Sequence, residues 1–108
     1  MNVRDMEVLN IIYAAGKPIT SSDIVNCKRE LTQSTVIAVL RNLEKNEAVE
    51  VVGTTHAGKV MARQFAPGPK AKEEITRHYA EEFARTKDVL SVDEMREIVE
   101  RVYSNTDI

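Results

Sequence analysis

The sequence predicts a mainly α-helical protein with one small β-hairpin, and three observations support this prediction. Apolar residues recur three, four and seven positions apart between Val36 and Leu43, which places them on one face of a helix. Two short β-rich runs follow, at 49–55 and 60–66, and Ala57-Gly58-Lys59 makes a tight turn between them. After the Pro67-Gly68-Pro69 break, two further amphipathic helices are expected.

The first two helices are indicated by capping residues and by apolar spacing. The first helix is expected over about residues 3–15, with Val8 at the margin of its buried face. Candidate N-caps for the second helix are Thr20, Ser21, Ser22 and Asp23, and the helix reaches about Lys28. Cys27 within it is expected to be a small buried hydrophobe. The residues expected on the buried face of the first helix are Met6, Leu9, Ile12 and Tyr13.

The third helix and the two C-terminal helices have equally clear boundaries. Thr32 can cap the third helix, which ends near Asn46. In the C-terminal part, Ser91 and Glu94 are spaced as a capping box that opens the last helix. We therefore expect three helices, a hairpin and two more helices, in that order.

Composition and charge place the chain among globular proteins rather than disordered ones. Hydrophobic residues make up 43% and charged residues 30% of the 108 positions, which is ordinary for a soluble domain. The single cysteine excludes an internal disulfide. The amino terminus does not read as a signal peptide, and no apolar run is long enough to span a membrane, so we expect a cytoplasmic protein without a membrane partner.

Charge is distributed unevenly along the chain. The net charge is −2, but residues 1–70 carry +2 and residues 71–108 carry −4. The basic residues therefore accompany the third helix and the hairpin, whereas the acidic excess lies in the C-terminal part. This asymmetry is typical of a protein with one half facing DNA and another half facing elsewhere.

A helix followed by a basic hairpin is the layout of a winged helix-turn-helix protein that reads double-stranded DNA. The helix enters the major groove, and the hairpin contacts the neighbouring backbone. At the hairpin tip, His56, Lys59 and Arg63 are expected to contact either phosphate or the minor groove. The outward face of the third helix is small or cationic, which suits close approach, and glutamine, arginine and apolar side chains can contact base edges. The DNA contacts expected from the residues alone are Gln33, Ser34, Ile37, Ala38, Arg41, Lys45, His56, Lys59 and Arg63.

Three motifs in the same order carry a resemblance to a known family. Residues 5–13, DMEVLNIIY, look like an opening Glu-Trp-x-Val-Met-x-x-Leu-Trp. Ser34-Thr35-Val36 with Leu40 and Leu43 is similar to Thr-Val-x-Thr-Leu-Leu-x-Arg-Leu, and Phe65-Ala66-Pro67 to a Tyr-x-Pro that closes the hairpin. Together they resemble the penicillinase-repressor (BlaI/MecI/CopY) family of winged-helix transcriptional regulators.

The resemblance implies a dimeric repressor that binds a palindromic operator and pairs through its C-terminal helices. It also implies that Ser34 and Thr35 begin the groove-entering helix, which adds Thr35 to the expected DNA contacts. Ala38 and Asn42 stand where the family has Thr and Arg, so the operator sequence does not carry over. The C-terminal part also lacks the Cys-x-Cys metal ligands of the copper-responsive members and the Asn-Phe cleavage site of the antibiotic-responsive members.

We predict that the break at Pro67-Gly68-Pro69 divides the chain into two parts. These are a winged-helix DNA-binding domain over 1–67 and a helical dimerisation segment over 70–108. Because the first domain already has a core, the apolar stripes of the segment are expected to pack against a second copy of the chain. A symmetric pair would also supply two DNA half-sites about one helical turn apart. The expected interface residues are Ile75, Tyr79, Phe83, Met95, Ile98, Val99 and Val102.

Other kinds of site are less well supported by the sequence. Residues 53–59 fit the phosphate-binding pattern G-x-x-x-x-G-K, but Val60 stands where Ser or Thr should bind Mg²⁺, and a strand rather than a helix is expected next. The spacing of Cys27, His56 and His78 does not indicate a metal site. We expect no enzyme activity, no cofactor and no small-molecule ligand. The alternative function is a winged-helix protein-interaction module whose acidic helical tail docks onto a partner protein.

Overall fold

The computed structural model describes residues 1–106, which form five helices and one two-stranded antiparallel hairpin. This mainly α-helical architecture confirms the predicted fold class. Two compact units are present: the first is Met1–Thr76 and the second begins at Arg77. The elements are α1 (Val3–Ala15), α2 (Ser21–Cys27), α3 (Gln33–Lys45), β1 (Val49–Ala57), β2 (Val60–Pro67), α4 (Ala71–Ala84) and α5 (Val92–Asn105).

Reciprocal caps fix the beginnings of three helices. At α2, the Thr20 Oγ1 accepts a hydrogen bond from the Asp23 amide at 3.2 Å, and the Asp23 carboxylate accepts one from the Thr20 amide at 2.9 Å. The same box joins Asn2 with Asp5 at α1, and the predicted box of Ser91 and Glu94 is confirmed at α5. These pairs satisfy amides that a helix leaves without an intrahelical acceptor.

Thr20→Ala is expected to lower the free energy of unfolding by about 1 kcal/mol, because α2 is short and loses the side-chain acceptor at its first turn. Urea denaturation followed by circular dichroism measures this change. Thr20→Ser keeps the hydroxyl and is expected to retain most of the stability. Equal loss in both variants would show that the methyl group of Thr20, rather than its cap, stabilises the helix.

The core of the first unit is built from α1, α2, α3 and the base of the hairpin. Leu9, Ile24 and Leu43 are fully buried in it, and Phe65 closes it from β2. Two predictions about this core are wrong. Val8 is fully buried whereas Tyr13 is 38% exposed, because the inward face of α1 is rotated towards the buried cap residue Asp5.

Cys27 is exposed rather than buried, contrary to the prediction. It is the last residue of α2, and Ile24 is the buried residue of that short helix. The thiol therefore lies beyond the part of the helix that packs into the core.

The hairpin is longer than predicted and contains one irregularity. The strands pair from Val49 with Pro67 to Ala57 with Val60, and the register shifts by one residue between Val51 and Gly53. Gly58, the first of the two turn residues, has φ +67°, as a two-residue type II′ hairpin turn requires. At the base of the hairpin, Ile19 and Phe65 exchange two backbone hydrogen bonds of 3.0 and 2.7 Å, which adds a one-residue third strand.

The second unit contains the remainder of α4 and the whole of α5. No residue of α5 is buried in the described part of the chain, although the helix carries ion pairs between Arg96 and Asp93 and between Arg101 and Glu97. Phe83 in α4 is half-buried. Among residues 1–106, no helix has both the length and the apolar character needed to cross a membrane.

Candidate nucleic-acid interface

The third helix presents one face to the core and the opposite face to solvent. Val36, Val39, Leu40 and Leu43 are buried, as their spacing predicted. On the outward side, six of the predicted contacts are exposed, and Ile37 among them leaves 42% of its surface open to solvent. An exposed isoleucine between polar neighbours gives this face an apolar point of contact. The six residues are Gln33, Ser34, Ile37, Ala38, Arg41 and Lys45.

Thr35, the seventh predicted contact in α3, belongs to the cap. Its amide donates to the Thr32 Oγ1 at 3.1 Å, and its own hydroxyl accepts from the Thr32 hydroxyl at 2.9 Å. Thr35 is half-buried in consequence. These bonds fix the first turn of α3, and the predicted DNA contact of Thr35 stays a prediction.

The register of the hairpin brings two of its predicted contacts, His56 and Arg63, onto one face. Directly paired residues in antiparallel strands point to the same side, so His56 lies beside Met61 and Thr54 beside Arg63. Met61, Arg63 and Phe65 alternate along β2 and share that side. The one-residue shift near Val52 makes this possible. Without it, Thr54 and His56 would point to the face opposite Met61 and Arg63.

A groove of about 610 Å³ lies between α3 and β2, and we call it the α3–hairpin groove. Its apolar members include Ile37, Leu40, Met61 and Phe65, and its charged members are Arg41, Glu44 and Arg63. The groove joins residues of the two elements that the sequence predicted as DNA contacts. It also adds residues that sequence reasoning missed: Ser21, Ser22, Leu40, Glu44, Val60, Met61, Ala62 and Phe65.

Two predicted contacts are engaged with other residues of the same unit. The Gln33 side-chain amide donates to the Ser21 hydroxyl at 2.6 Å, which ties the start of α3 to the start of α2. The Arg63 guanidinium lies 3.6 Å from the Glu44 carboxylate, and both side chains are exposed. An exposed pair at this separation contributes little stability, so a phosphate can replace Glu44 at small cost.

Three other predicted cations remain available. Arg41, Lys45 and Lys59 are exposed, and none of them forms an ion pair among residues 1–106. Lys59 sits in the hairpin turn beside Gly58, at the far end from the core. Each can therefore donate a charge-assisted hydrogen bond to a phosphate oxygen without breaking an existing ion pair.

The geometry argues against the phosphate-loop interpretation of residues 53–59. Gly53 to Ala57 lie in β1, and Lys59 is followed by β2 rather than by a helix. The helix amides that bind phosphate in such loops are therefore missing at this position. No group of three or more His, Cys, Asp or Glu side chains that could hold a metal ion occurs in the described residues.

Compared by sequence, the chain matches no protein-family model and no curated protein. Compared by structure, it is similar to several solved DNA complexes. Streptococcus pneumoniae FabT in complex with DNA is 17% identical, with a TM-score of 0.54 over 96% of this chain and 72% of that one. Bacillus subtilis PadR in complex with operator DNA is 14% identical, with a TM-score of 0.61 over 95% and 69%.

A third similar structure is a variant of MepR from S. aureus bound to an oligodeoxyribonucleotide. It is 19% identical and has a TM-score of 0.57 over 96% of this chain and 76% of that one. MepR is described as a transcription regulator of a multidrug efflux pump. These likenesses support the winged-helix class but not the narrower resemblance to penicillinase repressors. The chain has the winged-helix fold, in which the β1–β2 hairpin follows directly after α3.

Proposed function

We propose that the protein is a sequence-specific DNA-binding transcriptional repressor that binds a palindromic operator as a homodimer. The observation that carries this proposal is the exposed face of α3 beside the hairpin, where Arg41, Lys45 and Lys59 lie without ion-pair partners in the described residues. The core packs behind α3, so the outward face can approach a duplex directly.

Chemistry at this face suits both parts of DNA recognition. Lys59 and Arg63 on the hairpin are suited to phosphate contacts, which position a protein without reading sequence. Arg41 and Ile37 on α3 are suited to a guanine edge and a thymine methyl in the major groove. Solved structures with the same fold contain DNA, which supports a duplex as the partner.

The homodimer is supported by the second unit. Ile98, Val99 and Val102 lie on one side of α5, and all three are at least 42% exposed. Isolated helices of 14 residues are marginal in water, and most of their stability in proteins comes from packing of an amphipathic face. A second copy of the chain would bury this face and supply the second recognition helix that a palindrome needs.

The other predicted interface residues differ in their surroundings. Tyr79 is 55% exposed, whereas Phe83 and Met95 are half-buried. Ile75 is half-buried against the core of the first unit, so it has less surface to offer a partner. The predicted interface therefore rests mainly on Tyr79 and on α5. Its residues, the functional domains over 1–67 and 70–108, the cytoplasmic location and membership of the penicillinase-repressor family stay predictions.

Selection of duplex DNA from a random library, followed by mobility-shift titration, tests the proposal. We expect an enriched site with two inverted half-sites. We also expect the affinity to fall steeply with salt concentration, because lysine and arginine side chains that contact phosphates release counterions from the DNA. Scrambled duplexes serve as the control. Failure to enrich any sequence, together with equal affinity for scrambled DNA, would contradict a sequence-specific regulator.

Lys59→Ala is expected to weaken binding to all duplexes by a similar factor and to flatten the salt dependence by about one unit, because one phosphate contact is lost. The measurement is log Kd against log salt concentration for the selected and the scrambled duplex. Lys87→Ala removes the same charge outside the proposed interface and is expected to leave the slope unchanged. If the two variants behave alike, Lys59 does not contact phosphate.

The second candidate function is a protein-interaction module. It is favoured by the low net charge of residues 1–70 and by the exposed Val60 and Met61 on the hairpin, which are 69% and 53% exposed. This function predicts no salt-dependent binding to duplex DNA. The same titration therefore separates the two candidates.

A further inference from the structure

The short segment 68–70 that follows the hairpin is hydrogen-bonded to the turn that follows α3. The Gly68 amide donates to the Ala48 carbonyl at 2.8 Å, and the Lys70 amide donates to the Glu47 carbonyl at 2.9 Å. The Lys70 ammonium also lies 3.0 Å from the Glu47 carboxylate. We call these four residues, Glu47, Ala48, Gly68 and Lys70, the α3–α4 joint.

Backbone geometry makes the joint specific. Glu47 has φ +61° and is the only non-glycine residue with positive φ in the described chain. Gly68 approaches it so closely that a Cβ at Gly68 would lie 2.4 Å from the Glu47 carbonyl oxygen. That distance is far below van der Waals contact with a backbone atom, so no other residue fits at 68 without movement of one segment.

The joint connects the end of α3 directly to the beginning of α4. The Ala71 amide donates to the Gly68 carbonyl at 3.1 Å, and the Ala71 side chain is buried. One turn further, Ile75 packs against the core of the first unit. The hydrogen bond and charge of Glu47 raise the pKa of the Lys70 ammonium from its ordinary value. The ammonium is therefore charged at neutral pH and stays so until the pH rises to that raised pKa.

We propose that the α3–α4 joint is a positioning device: it fixes the direction in which α4 leaves the recognition helix, and thereby selects the spacing of the two half-sites that a dimer accepts. This inference rests on the proposed function. Binding at a second half-site adds affinity only where the geometry permits simultaneous engagement. A dimer whose α4 helices start in a fixed direction should therefore tolerate few spacings, whereas a looser connection should tolerate more.

Gly68→Ala tests the proposal in the full-length chain. Affinities are measured for duplexes that carry the selected half-sites at successive one-base-pair separations, and for a duplex with a single half-site. We expect the affinity at the preferred spacing to fall about tenfold and the profile to broaden or shift, with single-site affinity changed by less than about twofold. Gly16→Ala, at a positive-φ glycine outside the joint with open space around it, is expected to keep the parent profile.

Two results would overturn the inference in distinguishable ways. If the parent prefers no spacing, the proposed dimeric function fails and the inference fails with it. The parent protein can instead show a sharp optimum in half-site spacing. If Gly68→Ala then keeps the same optimum, or loses affinity for the single half-site as much as for the paired half-sites, only the role of the joint is rejected. Should Gly68→Ala not fold, Glu47→Gly removes the ion pair and frees the backbone at the positive-φ position beside Gly68. It is expected to broaden the profile in the same direction, and an unchanged profile rejects the role equally.

Discussion

Val102→Glu is expected to convert the protein from a dimer to a monomer and to weaken binding to a two-half-site operator by at least about 100-fold. Val102 is 60% exposed and lies beside Ile98 and Val99 on α5. A glutamate there stays hydrated in a single chain, but it would be desolvated in the proposed interface. Burying an unpaired carboxylate costs several kcal/mol, and the apolar contact of the valine, about 1.5–3 kcal/mol when fully buried, is lost as well.

Sedimentation equilibrium measures the expected change in mass, and operator titration measures the loss of affinity. Ser104→Glu is the matched control, because it adds the same side chain two residues away on the opposite face of α5. It is expected to remain dimeric. If the parent protein is monomeric, or if Val102→Glu dimerises as tightly as the parent, the assignment of the dimer interface to α5 is wrong.

Arg41→Ala is the second substitution with a large expected effect: about 5- to 150-fold weaker binding to the selected operator, with a changed preference among bases. The guanidinium is exposed on the outward face of α3, lines the α3–hairpin groove and forms no ion pair within residues 1–106. A bidentate arginine–guanine contact discriminates by about 1–3 kcal/mol, which corresponds to this range. A phosphate contact would instead lower affinity for all sequences alike.

Titration against a panel of single-base operator variants distinguishes the two roles of Arg41. The alanine variant should lose discrimination at one position of each half-site and retain it elsewhere. Arg85→Ala removes an exposed arginine from the turn that follows α4, outside the proposed interface, and is expected to keep the parent preferences. Uniform weakening across the panel would assign Arg41 to the DNA backbone rather than to a base edge.

Local sequence patterns predicted most of the fold. The boundaries of α1 and the cap of α5 follow from spacing and capping residues, which act within one or two turns. The inward face of α1 was misjudged because burial of Asp5 depends on α3. The Asn42 side chain donates to the Asp5 carboxylate at 3.5 Å across 37 residues of sequence. No periodicity within α1 contains that information.

The candidate site could be predicted only in part. Exposure of Arg41 and Lys45 follows from helical period, and Lys59 follows from the turn chemistry of Gly58. The shift near Val52 determines which side chains share a face with Arg63, and its one signal in the strand sequence is Gly53, since a glycine inside a strand often marks a bulge. Contacts between elements, such as Glu44 with Arg63, depend on tertiary packing, which is why the groove itself was not foreseen.

The two hydrogen bonds between Ile19 and Phe65 have a mechanical consequence for the hairpin. They anchor its base, while Val60 lies five residues further along β2, about 17 Å away in an extended strand. A hairpin anchored at one end bends most at the other, so its tip would adjust to minor grooves of differing width while the anchored end stays in place. The hairpin tip would then set how much variation in groove width the protein tolerates, and α3 would set which DNA bases it prefers. The two properties could therefore change independently during evolution.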